Sequence, residues 1–160
     1  MMVEAWVNEM NTKGNSCDLF YEPQNAIDEN FRELQSNDFV LIVMNEAQQE
    51  LLKKFGNDCI CIDRAHGMNN YDFEHITLLV IADIRQGFPC AFLISTRSDE
   101  IILKLFSGCI AKKTPGKIAP RVFISDMAEA FFNAWIKTHS EPELRLFCSW
   151  HVGRAWRKNV

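Results

Sequence analysis

Cys59-Ile60-Cys61-Ile62-Asp63 is the stretch on which the fold turns, because four apolar residues follow one another and end on a carboxylate. A short run that is apolar throughout, rather than alternating, reads as a strand at the centre of a sheet covered on both faces. Downstream, Arg121-Val122-Phe123-Ile124-Ser125-Asp126 repeats the design, a central strand closed by an aspartate. Between them, His75 to Asp83 and Phe88 to Thr96 are two further apolar runs. Their link, Ile84-Arg85-Gln86-Gly87, is short and contains glycine, so the pair predicts a hairpin.

The punctuation around these runs is helical. Asn45 can cap a helix from Glu46 to Phe55 with Ala47, Leu51, Leu52 and Phe55 on one stripe and Gly56 as its stop. Ser98 caps a helix from Asp99 to about Lys112, with acids in its first turn and Lys112 and Lys113 at its end, where the helix dipole favours each. Thr114-Pro115-Gly116 breaks the chain, a helix from Met127 to Lys137 follows Asp126, and Leu144 to Cys148 reads as another strand. A basic, Trp-containing helix begins near Trp150. Counted from Cys59, the order is three strands, helix, strand, helix, strand, helix. The three strands pair antiparallel, and those reached through helices add parallel to the first. This predicts an α/β fold on a mixed five-stranded sheet, three strands antiparallel and two parallel, with flanking helices. Phe39 to Met44 reads as a strand ahead of it. Residues 1–38, polar and rich in Asn, read as a weakly ordered or helical lead-in, and 39–160 as the folded domain.

Composition sets outer limits. With 160 residues and 48% apolar content, the chain can bury one core and is not of the disordered class. The longest apolar run, Phe39 to Met44, is far below the roughly 20 residues that span a bilayer. No basic-then-apolar leader opens the chain. The scattered cysteines, Cys17, Cys59, Cys61, Cys90, Cys109 and Cys148, then read as reduced thiols of an intracellular protein. A net charge of −4 counts against a self-sufficient nucleic-acid binder, since phosphate contacts need Lys and Arg. No Gly-rich phosphate loop, nucleophile elbow or His-Glu-x-x-His stretch occurs, and no small-molecule substrate is evident.

Asp63 and Asp126 carry the functional expectation. If their strands are parallel neighbours, their carboxyl ends share one sheet edge about 5 Å apart. Two facing carboxylates are costly unless a cation bridges them, and a hard ion such as Mg²⁺ suits oxygen ligands. Other roles stay open. Asp126 with Glu129 three residues on also reads as a helix N-cap, and Asp63 also reads as a turn residue.

The neighbouring residues add a resemblance. Asp63-Arg64-Ala65-His66-Gly67-Met68-Asn69-Asn70-Tyr71 resembles the first-acid segment of Mutator-like (MULE-type) DNA transposases, roughly D-x-T-H-x-T-N-x-Y. Phe123 to Asp126, followed by Ala128, Ala130, Asn133, Ala134 and Trp135, is similar to the second-acid segment, and Cys148-Ser149-Trp150-His151 to the C-x-x-H block. The resemblance covers about residues 38–160. It implies a ribonuclease-H-like fold, metal-dependent cutting and joining of DNA with Mg²⁺ or Mn²⁺, DNA as partner and a nuclear location. It implies Asp63 and Asp126 as catalytic, metal-binding acids, with His66, Asn69 and Tyr71 near the site. Ala65 and Met68 depart from it, standing where the family has hydroxyl residues. The family's third acid, a Glu beyond the C-x-x-H block, has no counterpart among the nine residues after His151. Glu141 and Glu143 precede the block and do not match it. The chain therefore reads as a fragment or decayed copy, inactive alone. The alternative is a non-catalytic, transposase-derived DNA- or protein-interaction module, as in SWIM-type zinc-finger proteins. Cys148 and His151 have the spacing of two zinc ligands, with His139 the nearest further candidate, or are a buried thiol and a hydrogen-bonding imidazole. Arg154, Arg157 and Lys158 beside Trp150 and Trp156 could hold a DNA strand, or form a solvated face over core tryptophans.

Overall fold

The computed structural model describes residues 2–12, 18–26, 31–65, 72–149, 152, 153 and 157. Its elements are α1 (Met2–Thr12), β1 (Asp18–Glu22), β2 (Val40–Val43), α2 (Glu46–Phe55), β3 (Cys59–Ala65), β4 (Glu74–Ile81), β5 (Gly87–Ser95), α3 (Glu100–Lys113), β6 (Val122–Ser125), α4 (Glu129–Thr138) and β7 (Leu144–Phe147). They build an α/β fold on one mixed sheet of seven strands, in the order β1-β2-β5-β4-β3-β6-β7.

The expected inner arrangement is present. β3, β4 and β5 pair antiparallel in turn, β6 lies parallel to β3, and β7 lies parallel to β6. The expected count of five strands is corrected to seven. β5 is nine residues long, and its second edge takes β2 antiparallel, which in turn takes β1. β1 has one neighbour only and lies in a polar stretch, so its sequence carries little of the alternation that marks a strand.

Side-chain alternation sorts the sheet into two faces. Ile60 with Val80, Ile62 with Leu78, and Ile76 with Leu93 and Ile42 are cross-strand partners, all buried. They form one core with Leu52 and Phe55 of α2, Leu103, Phe106 and Ile110 of α3, and Phe131 and Trp135 of α4. On the opposite face, Val7 of α1 packs with Phe39 and Leu41. Further along that face, Leu79, Cys61, Ile124 and Leu146 form a row in which none is buried. The apolar run of β3 predicts cover on both sides. Among the described residues the helices α2, α3 and α4 cover only one, and small thiols occupy the other.

Local chemistry fixes the connections. The α2 start is a reciprocal box, Gln48 N–H to Asn45 Oδ1 at 2.8 Å and Asn45 N–H to Gln48 Oε1 at 2.9 Å. Gly56 closes α2 with an ordinary helical φ of −64°, so its role is space rather than a left-handed cap. A Cβ there would fall 2.5 Å from the Leu52 carbonyl oxygen. The hairpin turn is as expected, with Arg85 in the left-handed region and its N–H on Ala82 O. In β5, the register jumps so that Cys90 is an extra residue between Pro89 and Ala91. Pro89 has no N–H to donate, and β2 pairs with β5 only from Phe92 to Ser95. The Pro89 carbonyl instead accepts from Gln48 Nε2 at 3.3 Å.

Helices α3 and α4 lie together. The buried Ser107 hydroxyl lies 3.1 Å from Leu103 O in its own helix and 3.2 Å from Ala134 O in α4, so its proton ties the two. At the end of α4, His139 is 2% exposed and stacks on Trp135 with ring centroids 4.0 Å apart. Neither imidazole nitrogen has a protein partner in hydrogen-bond geometry. Burial, and to a lesser degree the charge of Lys117, lower its pKa to about 4, although the nearby Ser107 backbone opposes this.

The folded protein therefore keeps His139 neutral. Its contribution to stability is complete above the ordinary value of 6.5 and is lost as pH falls toward 4, because the unfolded chain takes up the proton first. Between pH 7.5 and 4.5 this costs roughly 2 to 3 kcal/mol. In His139→Phe, denaturation at the two pH values should differ by that much less than in the parent. Equal pH dependence in both proteins would exclude the linkage.

Candidate active-site edge

The two aspartates lie where the sheet begins to split. β3 and β6 pair through Cys59↔Val122, Ile60↔Phe123 and Cys61↔Ile124. Two residues beyond that last rung, each chain carries its aspartate. Asp63 is not the end of its strand, as the sequence suggested. β3 continues to Ala65, because β4 goes on pairing with it through Asp63↔Thr77, Arg64↔Ile76 and Ala65↔His75. β6 stops at Ser125, and Asp126 leaves the sheet. The edge is thus the carboxyl end of two parallel strands that have just lost their ladder.

The two side chains meet different surroundings. Asp63 is exposed, on the same side of β3 as Cys59 and Cys61. Asp126 is buried, and both of its oxygens are engaged. Oδ1 accepts the Ala128 N–H at 2.9 Å, and Oδ2 accepts Arg64 Nη2 at 3.1 Å. Arg64 also donates through Nη1 to Ser98 Oγ at 3.0 Å, and its guanidinium lies 5.5 Å from the centre of the Phe131 ring. One cation from β3 therefore joins the segment before α3 to the start of α4. Arg64 Nε is buried without a partner.

The same bonds correct the helix starts. Asp99, not Ser98, caps α3, its carboxylate accepting from the N–H groups of Ile101 and Ile102. Ser98 is turned to Arg64 instead. α4 starts at Glu129 rather than Met127, and its N-cap Ala128 has no side-chain bond. Asp126 acts two residues earlier, holding the Ala128 N–H in a turn that leads into the helix. Glu129 accepts from Arg145 Nη1 at 2.8 Å, which holds its carboxyl below the usual range. The Arg145 guanidinium lies between the rings of Phe132 and Phe147.

Cys148 follows β7, and its N–H donates to Ser125 O at 2.7 Å. It shares the edge with Cys61, whose thiol is pushed up to about 12 by burial first, then by Asp63, Cys148 and Cys59. Cys59, Cys61, Cys90, Cys109 and Cys148 are free thiols. Ser149, Val152, Gly153 and Arg157 are helical, and Arg157 is exposed. His66, Asn69, Tyr71, His151, Arg154 and Lys158 lie outside the described residues. His139, the further zinc candidate, is buried at the far end of α4, about 15 Å from that helix's start.

Among the described residues, no group of three or more His, Cys, Asp and Glu is placed to hold a metal ion. The divalent ion implied by the resemblance needs oxygen ligands at about 2.0–2.2 Å. Asp126 does not fit that demand here, because a guanidinium already compensates its charge. Arg64 is the partner of Asp126 that sequence reasoning passes over, and its signal is an arginine directly after Asp63 in a strand that runs on to Ala65.

No protein-family model matches the chain, and no curated protein matches it.

Removing the cation should expose how far Asp126 depends on it. Arg64→Ala leaves a largely buried carboxylate without a counter-charge, at an expected cost of about 2 to 3 kcal/mol, reduced from the fully buried case by the partial solvent access of Arg64. Asp126→Asn keeps an acceptor for Ala128 and should cost about 1 kcal/mol. Urea denaturation of the variants checks both, and an Arg64→Ala protein as stable as the parent would contradict the pairing.

Proposed function

We propose that this chain is a domain of the Mutator-like transposase lineage with a ribonuclease-H-like core, and that it does not cut DNA as it stands. Asp63 and Asp126 are the lineage's first two acids. The observation that carries this reading is the parallel register of β3 and β6, with Cys61 opposite Ile124 and an aspartate two residues beyond each. The strand order β5-β4-β3-β6-β7 and its directions support the same reading, as do the three sequence blocks that resemble the family. Phosphodiester cutting in that lineage needs a bridging divalent pair about 4 Å apart. Here Arg64 compensates Asp126.

The Arg64–Asp126 pair also favours a second reading, a transposase-derived module that binds DNA or another protein without catalysis. The exposed Arg157 is consistent with a nucleic-acid partner. A nuclear location goes with either reading.

Supercoiled plasmid incubated with the 160-residue chain and Mg²⁺ or Mn²⁺ should stay unnicked, and Asp63→Ala should change nothing. Robust metal-dependent nicking that Asp63→Ala abolishes would overturn the inactive reading. A crystal structure with the two carboxyl groups more than about 10 Å apart, too far for bridged ions, would end the lineage assignment itself.

A further inference from the structure

We infer that the outer face of α3 carries a binding pocket for a small amphipathic carboxylate, an organic acid whose apolar body lies on the helix and whose anionic head meets Lys104 or Lys112. The pocket shares no residue with the Asp63–Asp126 edge, and the inference does not depend on the lineage reading.

The pocket follows from the spacing of α3. Ile101, Lys104, Leu105, Gly108, Cys109 and Lys112 recur at steps of three and four, so they share one stripe of the helix. The opposite stripe, with Ile102, Leu103, Phe106 and Ile110, is buried in the core. Phe31 and Leu34 flank the outer stripe on one side and Thr138 of α4 on the other, and a hollow of about 230 Å³ lies between them. The segment bearing Phe31 is held at both ends. Phe31 packs edge-on against Phe20 of β1 with ring centroids 4.9 Å apart, and Asp38 accepts from Arg97 Nη1 at 2.8 Å.

Three observations point to the ligand. First, a glycine inside a helix weakens it relative to alanine, and packing does not demand one at Gly108. A Cβ there would meet only Thr138 Cγ2, at 3.9 Å. What the missing side chain leaves is room on the floor of the hollow. Second, that floor is apolar. The Thr138 hydroxyl is turned into its own helix, toward Ala134 O and Trp135 O. Burial pushes the Cys109 thiol up, with Lys112 opposing, so it stays protonated at neutral pH. Third, the rim is cationic. Lys104 and Lys112 are exposed and stand about 12 Å apart along the axis, one toward each end of the stripe. Neither makes an ion pair among the described residues. Glu33 is the one acid of the lining, so two ammonium groups face a single carboxylate. An apolar floor under a rim of net positive charge complements an apolar body with one negative head. In size, a cavity of about 150 Å³ takes benzene, so this hollow takes roughly nine carbon-sized atoms. The ring and two methylenes of 3-phenylpropanoate match that space and leave its carboxylate at a lysine.

The test titrates the ¹⁵N-labelled whole chain with 3-phenylpropanoate and follows backbone amide shifts. Binding should have a Kd on the order of 1 mM or below, with the largest shifts at Leu105, Gly108 and Cys109. The same body with a neutral head, 3-phenylpropan-1-ol, should bind about threefold or more weakly, and 3-phenylpropylamine more weakly still. Lys104→Gln with Lys112→Gln should reduce the acid to the affinity of the alcohol. Gly108→Leu fills the hollow and should abolish binding of both. No shift at these amides with millimolar acid would overturn the inference, as would an alcohol that binds as tightly as the acid, or a folded Gly108→Leu protein that binds like the parent. If Gly108→Leu fails to fold, the lysine pair on the surface still decides: unchanged preference for the acid in that variant counts against the inference. Shifts of the same amides on concentrating the parent alone would give the pocket to a second copy of the chain and overturn it too.

Discussion

The three-rung parallel ladder between β3 and β6 holds the two halves of this sheet together. On one side of it lie β4, β5, β2 and β1, all joined by antiparallel pairing, and on the other only β6 and β7. A parallel neighbour cannot be reached by a tight turn, so the chain must cross over the sheet between β5 and β6, and again between β6 and β7. Those crossings are α3 and α4. Their packing over Ile60, Ile62 and Phe123 is the same burial that keeps the ladder in register. The constraint also decides where polar groups can go. Carboxylates just past the last rung sit beside a covered core, and one of them, Asp126, turns toward the helices and not toward water.

That turn sets Asp126 in an electrostatic pairing. Asp126 meets a cation from the neighbouring strand, a backbone N–H from the turn ahead of α4, and an aromatic wall. Removing a charged side chain from water is repaid only when its bonds are satisfied, and both oxygens here are. The same bonds keep Asp126 withdrawn from water, as nothing does at the exposed Asp63.

The legible part of the fold was the part with strong apolar runs. β3 through β7, their directions and the β4–β5 turn follow from the runs at Cys59, His75, Phe88, Arg121 and Leu144, because buried strands must be apolar on at least one face. β1 was not legible, since Asp18 to Glu22 forms an edge strand whose single neighbour selects weakly on its composition. Helix starts were read one or two residues early for a common reason. Ser98 and Asp126 are both good capping residues by type, but Arg64 recruits Ser98 through Nη1 and Asp126 through Nη2. A long-range cation is invisible to a local rule. The level of Asp63 with Asp126 could be read from the strands, whereas the partner of Asp126 could not, because it depends on which way an arginine inside β3 points.

Pro89 shows how one residue can limit the growth of a sheet. In an extended chain the N–H and C=O of a residue point to the same side, so the carbonyl that receives Gln48 marks the side on which Pro89 lacks a donor. Zipping of β2 along β5 therefore meets a chemical stop, and the strand is confined to the four residues from Val40 to Val43. The chain is free to leave the sheet at Met44 and begin α2 directly above the vacated half of β5. An imino acid thereby acts as a ruler, setting where strand ends and helix begins on the neighbouring segment as well as on its own.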